Sequence, residues 1–310
     1  MRIFFAGSPP FGLPSFRALL ESNHQVVGLL TPPAGRAGRG LAEAANALVP
    51  LAEDAGVPVL RPANASGEET LTALADLQPD LGMVVSYGQI LSPEFLSLPA
   101  QGCVNLHGSL LPRWRGASPV QAAILAGDLE TGVCLQRVVA ELDAGPVLAR
   151  KAVAIAERET GPGLQDVLAA EGAKLLKKFL ATLGQGEVPP GDEQDPTEAT
   201  HCRKVKKEDG RIDWSNSSGR IDRQVRAYSG WPWAQAGFPG GQGVRVLRGR
   251  VGAGLLGAHP GVVLEVGESI EVACGEGSFH IDELQRPGKR ALNAAEFLRG
   301  FPLEEGAQLQ

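Results

Sequence analysis

Residues 1–30, MRIFFAGSPPFGLPSFRALLESNHQVVGLL, set the fold class of this 310-residue chain. Arg2 to Ala6 reads as a strand, Phe11 to Glu21 as a helix, and Gln25 to Leu30 as a second apolar strand. The same alternation continues downstream. Ala42 to Ala55 is predicted helical, Val57 to Leu60 a short strand, Glu68 to Leu77 a helix, and Leu81 to Ser86 and Cys103 to His107 buried strands. Strands alternating with helices imply a mostly parallel sheet covered on both faces, an α/β domain. In such sheets ligands bind outside the carboxyl ends of the strands.

That rule directs attention to NLHGSLLPRWRGASP, residues 105–119. Side chains alternate along a strand, so Asn105 and His107 share one face. A hydrogen-bonding amide and a titratable imidazole therefore converge at a strand end, ahead of a loop carrying Pro112, Arg113, Arg115 and Gly116. Such a pair can polarise a carbonyl and shuttle a proton. Two further strands are expected at Val133 to Val139 and Val147 to Ile155, joined through Glu141, Leu142, Asp143, Ala144 and Gly145. An Asp before Gly in a turn commonly caps its own backbone. A carboxylate near an imidazole also raises the pKa of the histidine and fixes its orientation. Asp143 is open to both readings.

Other chemistries find no motif. The turn at Gly7 to Pro10 lacks G-x-G-x-x-G, and there is no P-loop, zinc or EF-hand spacing, and no G-x-S-x-G elbow. The four cysteines, Cys103, Cys134, Cys202 and Cys274, stand far apart, so neither a disulfide framework nor a metal site is expected, and a reduced, cytoplasmic location follows. No run of 18 apolar residues occurs, and the N-terminus reads as a strand rather than a targeting segment.

After a predicted long helix at Gly163 to Leu183, GQGEVPPGDEQDPTEAT has no apolar period and reads as an interdomain linker. Beyond Val205, strand-like runs at Gly243 to Val251, Gly261 to Val266, Ser269 to Ala273 and Ser278 to Leu284, separated by Gly-rich turns, suggest a small barrel or sandwich closed by a helix at Asn293 to Arg299. The expected division is a domain over 1–185, a linker over 186–205 and a second domain over 206–310. Net charge is −6, yet residues 201–250 carry eleven Lys and Arg against four Asp and Glu, +7, which leaves −13 for the rest. This segment is either a docking surface for an anionic partner or a solvated basic face. Its basic residues interleave with Trp214, Tyr228, Trp231 and Trp233, a mixture that suits nucleic acid; Trp214 and Trp233 are assigned to the core. The basic loop TPPAGRAGRG, 31–40, reads as a functional loop or as a plain surface loop.

Taken together, the chain resembles the folate-dependent formyltransferases, and within them the branch acting on methionyl-tRNA. The resemblance rests on Asn105, His107 and SLLPRWRGASP at 109–119, on ETGV at 130–133 and on LDAG at 142–145. It extends to FAGSP at 5–9, AGRG at 37–40, VVSYGQIL at 84–91, GRIDW at 210–214 and RAYSGWPWA at 226–234, so it covers essentially the whole chain. It implies a Rossmann-like formyltransferase domain followed by a small OB-like β-barrel domain. It also implies transfer of a formyl group from 10-formyltetrahydrofolate to the α-amino group of initiator methionyl-tRNA. Carried onto this sequence, Asn105, His107 and Asp143 become the catalytic trio. Tyr87, Gly88, Gln89, Ile90, Leu91, Ser109, Leu110, Leu111, Pro112 and Val139 become folate-binding residues, and Arg36, Arg39, Lys204, Lys206 and Lys207 become tRNA contacts. No metal and no membrane partner are implied, and a cytoplasmic monomer is expected.

On this reading Asn105 and protonated His107 donate to the formyl oxygen as it gains charge, worth roughly 3–4 kcal/mol per good donor. Asp143 holds His107 or a water and relays the proton of the amine. The 31–42 loop departs from the family pattern. Gly35 and Arg36 stand where Arg and Pro are usual, and Leu41 and Ala42 replace lysines, which leaves less positive charge. Rival readings are a formyltransferase acting on a sugar-nucleotide amine and a silent RNA- or folate-binding protein. Retention of all three of Asn105, His107 and Asp143 speaks against the latter.

Overall fold

The computed structural model describes residues 1–33, 36–37, 42–43, 46–183, 186–254 and 257–310, with 36–37, 42–43 and 242 as backbone only. Two compact units emerge. The first comprises 1–119, 130–154 and 165–203; the second comprises 120–129, 155–164 and 204–310.

The first unit is built on strands β1 (Arg2–Gly7), β2 (Gln25–Leu30), β5 (Val59–Leu60), β6 (Leu81–Val85), β7 (Cys103–His107), β9 (Glu130–Arg137) and β10 (Val147–Ala154), in the order β10-β9-β7-β6-β1-β2-β5. The β1, β2, β5, β6 and β7 pairings are parallel, while β9 runs antiparallel to both β7 and β10. The central strands are continuous apolar runs because both faces are covered: all five residues of β6 are buried. Edge strand β10 is largely exposed and carries Arg150 and Lys151, charges that discourage edge pairing. Phe4 and Phe95 meet edge to face at 5.6 Å inside a cluster with Val84, Tyr87 and Cys103, the packing that seats β1, β6 and β7.

Helices α1 (Gly12–Leu20), α2 (Leu48–Asp54), α3 (Glu68–Asp76), α4 (Pro93–Ser97), α5 (Pro119–Ala126) and the long α6 (Gly161–Thr182) alternate with these strands. The helix expected over Ala42 to Ala55 begins only at Leu48. Asn46 Oδ1 accepts from the Leu48 amide and starts the helix there, whereas Ala42–Glu43 (β4) pairs with Arg36–Ala37 (β3). Leu106, on the back of β7, lies against Gly172 of α6, so the face bearing Asn105 and His107 is turned the other way. The segment read as a linker runs within the first unit as far as Arg203. Asp192 and Val147 exchange backbone hydrogen bonds of 2.8 and 2.9 Å, and β11 (His201–Cys202) pairs in parallel with β8 (Arg115–Gly116).

The second unit carries an antiparallel sheet of β12 (Ala234–Phe238), β13 (Gln242–Gly252), β14 (Val263–Val266), β15 (Ile270–Ala273), β16 (Ser278–Gln285) and β17 (Ala291–Asn293). The C-terminal residues hydrogen-bond both its ends: Gln310 with Gly237 of β12, and Ala307 with Val263 of β14. The sheet is therefore curled around a core of Val244, Val246, Ile270, Val272, Phe279 and Phe297. Helix α7 (Ser218–Ala227) is capped by Ser217 and α8 (Ala294–Gly300) by Asn293. Trp214 is buried as expected, but Trp233 is only half-buried. Its backbone sits at φ +70, in the left-handed region. No helix of the described residues is long and apolar enough to cross a membrane, and all four cysteines are free.

Candidate active site

Strand β7 lays Asn105 and His107 on one face, and the 138–145 loop brings Asp143 over them. Asp143 Oδ1 accepts from Gln136 Nε2 at 2.8 Å and from Asn105 Nδ2 at 3.4 Å. Oδ2 accepts from the Gly116 amide at 2.8 Å and lies 3.6 Å from His107 Nδ1. The hydrogen bonds of this carboxylate thus reach residues 105, 116 and 136, so the turn-capping reading of Asp143 is set aside by its geometry. His107 is 6% exposed and the Asp143 side chain 11%, dry enough for charge–charge contacts to act at low dielectric.

The tautomer of His107 follows from its other nitrogen. Nε2 sits 2.9 Å from the Trp114 carbonyl oxygen. A carbonyl can only accept, so Nε2 carries a proton, and the nitrogen turned to the carboxylate is Nδ1. With Nδ1 also protonated the pair becomes a charge-assisted contact; without that proton two lone pairs face each other. The expectation that His107 donates to a formyl oxygen applies here to Nδ1 alone.

Backbone strain collects at the same place. Of the five described non-glycine residues with positive φ, Ser86, Trp114 and Asp143 all belong to loops around this site. Such conformations cost about 1–3 kcal/mol each and persist where the surroundings over-determine them. Gly116, at φ +116, is a position only glycine fills: a Cβ there would lie 2.1 Å from the Cys202 carbonyl oxygen.

Residues 1–180 match the family model described as formyl transferase, and 204–302 match formyl transferase, C-terminal domain. The chain belongs to the formyl transferase family. It is similar to a methionyl-tRNA formyltransferase of Parvibaculum lavamentivorans, 43% identical over 307 residues and covering 99% of each chain. A methionyl-tRNA formyltransferase of Methylococcus capsulatus is 42% identical over 303 residues, covering 98% of each. Among solved structures, the sugar 3N-formyl transferase WlaRD has a TM-score of 0.69 at 17% identity, over 94% of this chain and 99% of that one. HypX from Aquifex aeolicus, in complex with tetrahydrofolic acid, has a TM-score of 0.60 at 18% identity, over 100% of this chain and 50% of its own. At those identities the likeness is one of fold.

For a formyl transferase, the expected folate residues divide into two sets. Ile90 is 94% exposed and Val139 40%, and Leu142, three residues past Val139 and outside the expected set, is 66% exposed, an unusual display of apolar side chains. Their neighbours Leu91 and Val138 pack against one and the same cluster, so both loops are rooted together. Tyr87 is buried, its hydroxyl has no hydrogen-bond partner, and burial pushes that phenol up to about 12. Gly88, at φ +81, has open space where a side chain would lie. The others face inward. Ser109 is fully buried and donates to the Arg113 carbonyl at 2.5 Å, while Leu111, with half-buried Leu110, packs on Cys134 and Val147. Pro112 accepts from the Thr200 amide through its carbonyl, and Gln89 spends its amide on the 62–65 turn.

Gln136 and Gln194 escaped the sequence, and Arg115 was visible there only as a member of the loop after β7. Gln136 is 1% exposed and holds Asp143 from β9. Arg115 is 3% exposed; its Nε donates to Gln194 Oε1 at 3.0 Å and its Nη1 lies 3.3 Å from Glu141. Gln194 sits in the acidic, Gly- and Pro-rich stretch. Only alternation on β9 pointed to Gln136, two residues beyond Cys134, and no local signal pointed to Gln194.

Of the expected tRNA residues, Lys204, Lys206 and Lys207 are exposed, in the second unit. Lys207 lines a cavity of about 430 Å³ with Glu208, Arg211, Gln235 and Gln310. Arg36 is described as backbone only, and Arg39 lies outside the described residues.

Proposed function

We propose that this chain transfers a formyl group from 10-formyltetrahydrofolate to the α-amino group of initiator methionyl-tRNA, with Asn105, His107 and Asp143 as its catalytic residues. The observation that carries this reading is the convergence of the three side chains on one face of β7, within 3.4 to 3.6 Å of each other through Asp143. Identity of 42–43% to methionyl-tRNA formyltransferases over nearly full length supports the acceptor.

The folate supplies an activated formyl group. The exposed apolar side chains of Ile90, Val139 and Leu142 fit a flat heterocycle. Asn105 donates one Nδ2 hydrogen toward Asp143 and keeps the second for the oxygen that gains negative charge during transfer. His107, held through Nε2, presents Nδ1 to the site and stabilises the same charge. Asp143, acceptor-only when ionised, receives the proton that the amine must lose and passes it on toward the departing nitrogen. Ser109, Leu110, Leu111 and Pro112 shape the pocket from behind by fixing the loop after β7.

The acceptor is held by Lys204, Lys206 and Lys207, with Arg36 and Arg39 contributing from the 31–42 loop. A formyltransferase domain over 1–185, a linker over 186–205 and an OB-like tRNA-binding domain over 206–310 divide the labour, in a cytoplasmic monomer. The test is formyl transfer to charged initiator tRNA compared with an aminosugar nucleotide. Transfer to the tRNA alone is expected; transfer only to the sugar overturns the acceptor, and binding of tRNA without turnover overturns the catalytic reading.

A further inference from the structure

The groups that fix Asp143 lead to one side chain that the chemistry above does not use. Gln194 Nε2 lies 2.8 Å from the Asp143 carbonyl oxygen and 2.7 Å from the Gly145 carbonyl oxygen. Its Oε1 accepts from Arg115 Nε at 3.0 Å. The orientation of the amide is settled by its partners, since two carbonyls can only accept and a guanidinium can only donate. The two shortest contacts of Nε2 are thus with the turn that carries Asp143, and a longer one of 3.3 Å reaches Gln136 Oε1. Arg115, nearly fully buried, reaches the same turn at Glu141. The turn is gripped at residues 141, 143 and 145, and Asp143 sits in it at φ +52.

Gln194 is itself held firmly. Two backbone hydrogen bonds tie Asp192 to Val147, and Asp195 caps the following turn through the Thr197 amide at 2.8 Å. We propose that Gln194 is a positioning residue for formyl transfer, holding the 141–145 turn so that the Asp143 carboxylate faces Asn105 and His107. The proposal rests on the reading of Asp143 as part of the transferring site. It gives the acidic, Gly- and Pro-rich stretch a part in catalysis that its composition does not suggest.

The experiment measures kcat and KM for formyl transfer to methionyl-tRNA in Gln194→Ala, Gln194→Glu, Asp143→Asn and the Gln194→Ala/Asp143→Asn double variant. Gln194→Ala is expected to lower kcat roughly 10- to 100-fold, the scale of a misplaced catalytic group, with KM for both substrates within about twofold. Gln194→Glu keeps the acceptor for Arg115 but cannot donate to the two carbonyls, so it falls in the same range and serves where the alanine variant does not fold. In the Asp143→Asn background, Gln194→Ala adds less than about twofold, because residues acting as one unit are non-additive. Wild-type kcat in Gln194→Ala, or losses that multiply in the double variant, would overturn the positioning role and leave the Asp143 reading intact. Wild-type turnover in Asp143→Asn would overturn both.

Discussion

The two units handle polar groups in opposite ways. The first buries His107, Arg115 and Gln136 about the 141–145 turn that carries Asp143, and it keeps three loop residues there in left-handed conformations. The second has an apolar core, with Asp222 bound by Arg158 and Arg226 as its one buried charge among the described residues, and it spreads its other charges over the surface of a curled sheet. Burying polar groups is costly unless each is satisfied, so a dense buried network marks the unit where geometry is held for chemistry. Exposed lysines such as Lys204, Lys206 and Lys207 need no such precision, since phosphate contacts tolerate flexible side chains.

The sharpest way to break that contrast is His107→Ala. It is expected to lower turnover by roughly 10²–10⁴ while the folded signal by circular dichroism stays in place. Near-wild-type formyl transfer would remove the first unit's claim to the chemistry. Next comes Gly116→Ala, which forces a Cβ onto the Cys202 carbonyl at positive φ; a stability loss of about 3 kcal/mol is expected in denaturant titration, together with lost turnover. An unchanged denaturation midpoint would mean the β8–β11 pairing does not secure the site.

Alkaline pH separates the units by a smaller margin. Burial pushes Tyr87 and Cys103 up to about 12 and Cys134 to about 11 in the first unit, and Cys274 to about 12 in the second. Above about pH 9 the unfolded chain releases protons that the folded chain still holds, so stability falls as pH rises, by up to about 1.4 kcal/mol per group per pH unit. The melting temperature should stay flat from pH 7 to 8.5 and drop between 9 and 11; a flat curve to pH 11 would contradict the burial of these groups. Lys207→Ala should weaken tRNA affinity and reduce its salt slope by about 1, with kcat unchanged; an unaltered slope would take Lys207 out of the interface. Smallest of all, Arg248→Ala removes an exposed pair with Glu283 at 4.0 Å and should change stability by less than about 0.5 kcal/mol, measured in the same titration.

Much of the first unit was legible because its signals are local. Apolar runs at Arg2–Gly7 and Leu81–Val85 write a buried parallel sheet directly, and i, i+2 spacing places Asn105 beside His107. Asp143 was legible as a candidate and ambiguous in role, since a turn aspartate looks the same whether it caps its own backbone or reaches 38 residues away to Asn105. Gln194 was illegible because nothing local to GDEQDP distinguishes a linker from a strap; its partners Arg115, Asp143 and Gly145 are set by long-range hydrogen bonds. Helix α2 was overextended because alanine-rich sequence favours helix on propensity alone, and the start at Asn46 is a side-chain decision.

Two of the contacts that orient His107 and Asp143 are main-chain ones: the Trp114 carbonyl meets His107, and the Gly116 amide meets Asp143. Alanine scanning removes side chains and leaves the residue 114 carbonyl and its contact with His107 in place. Replacing the amide at Gly116 by an ester, which deletes one N–H and alters no side chain, is the perturbation that addresses what the loop contributes.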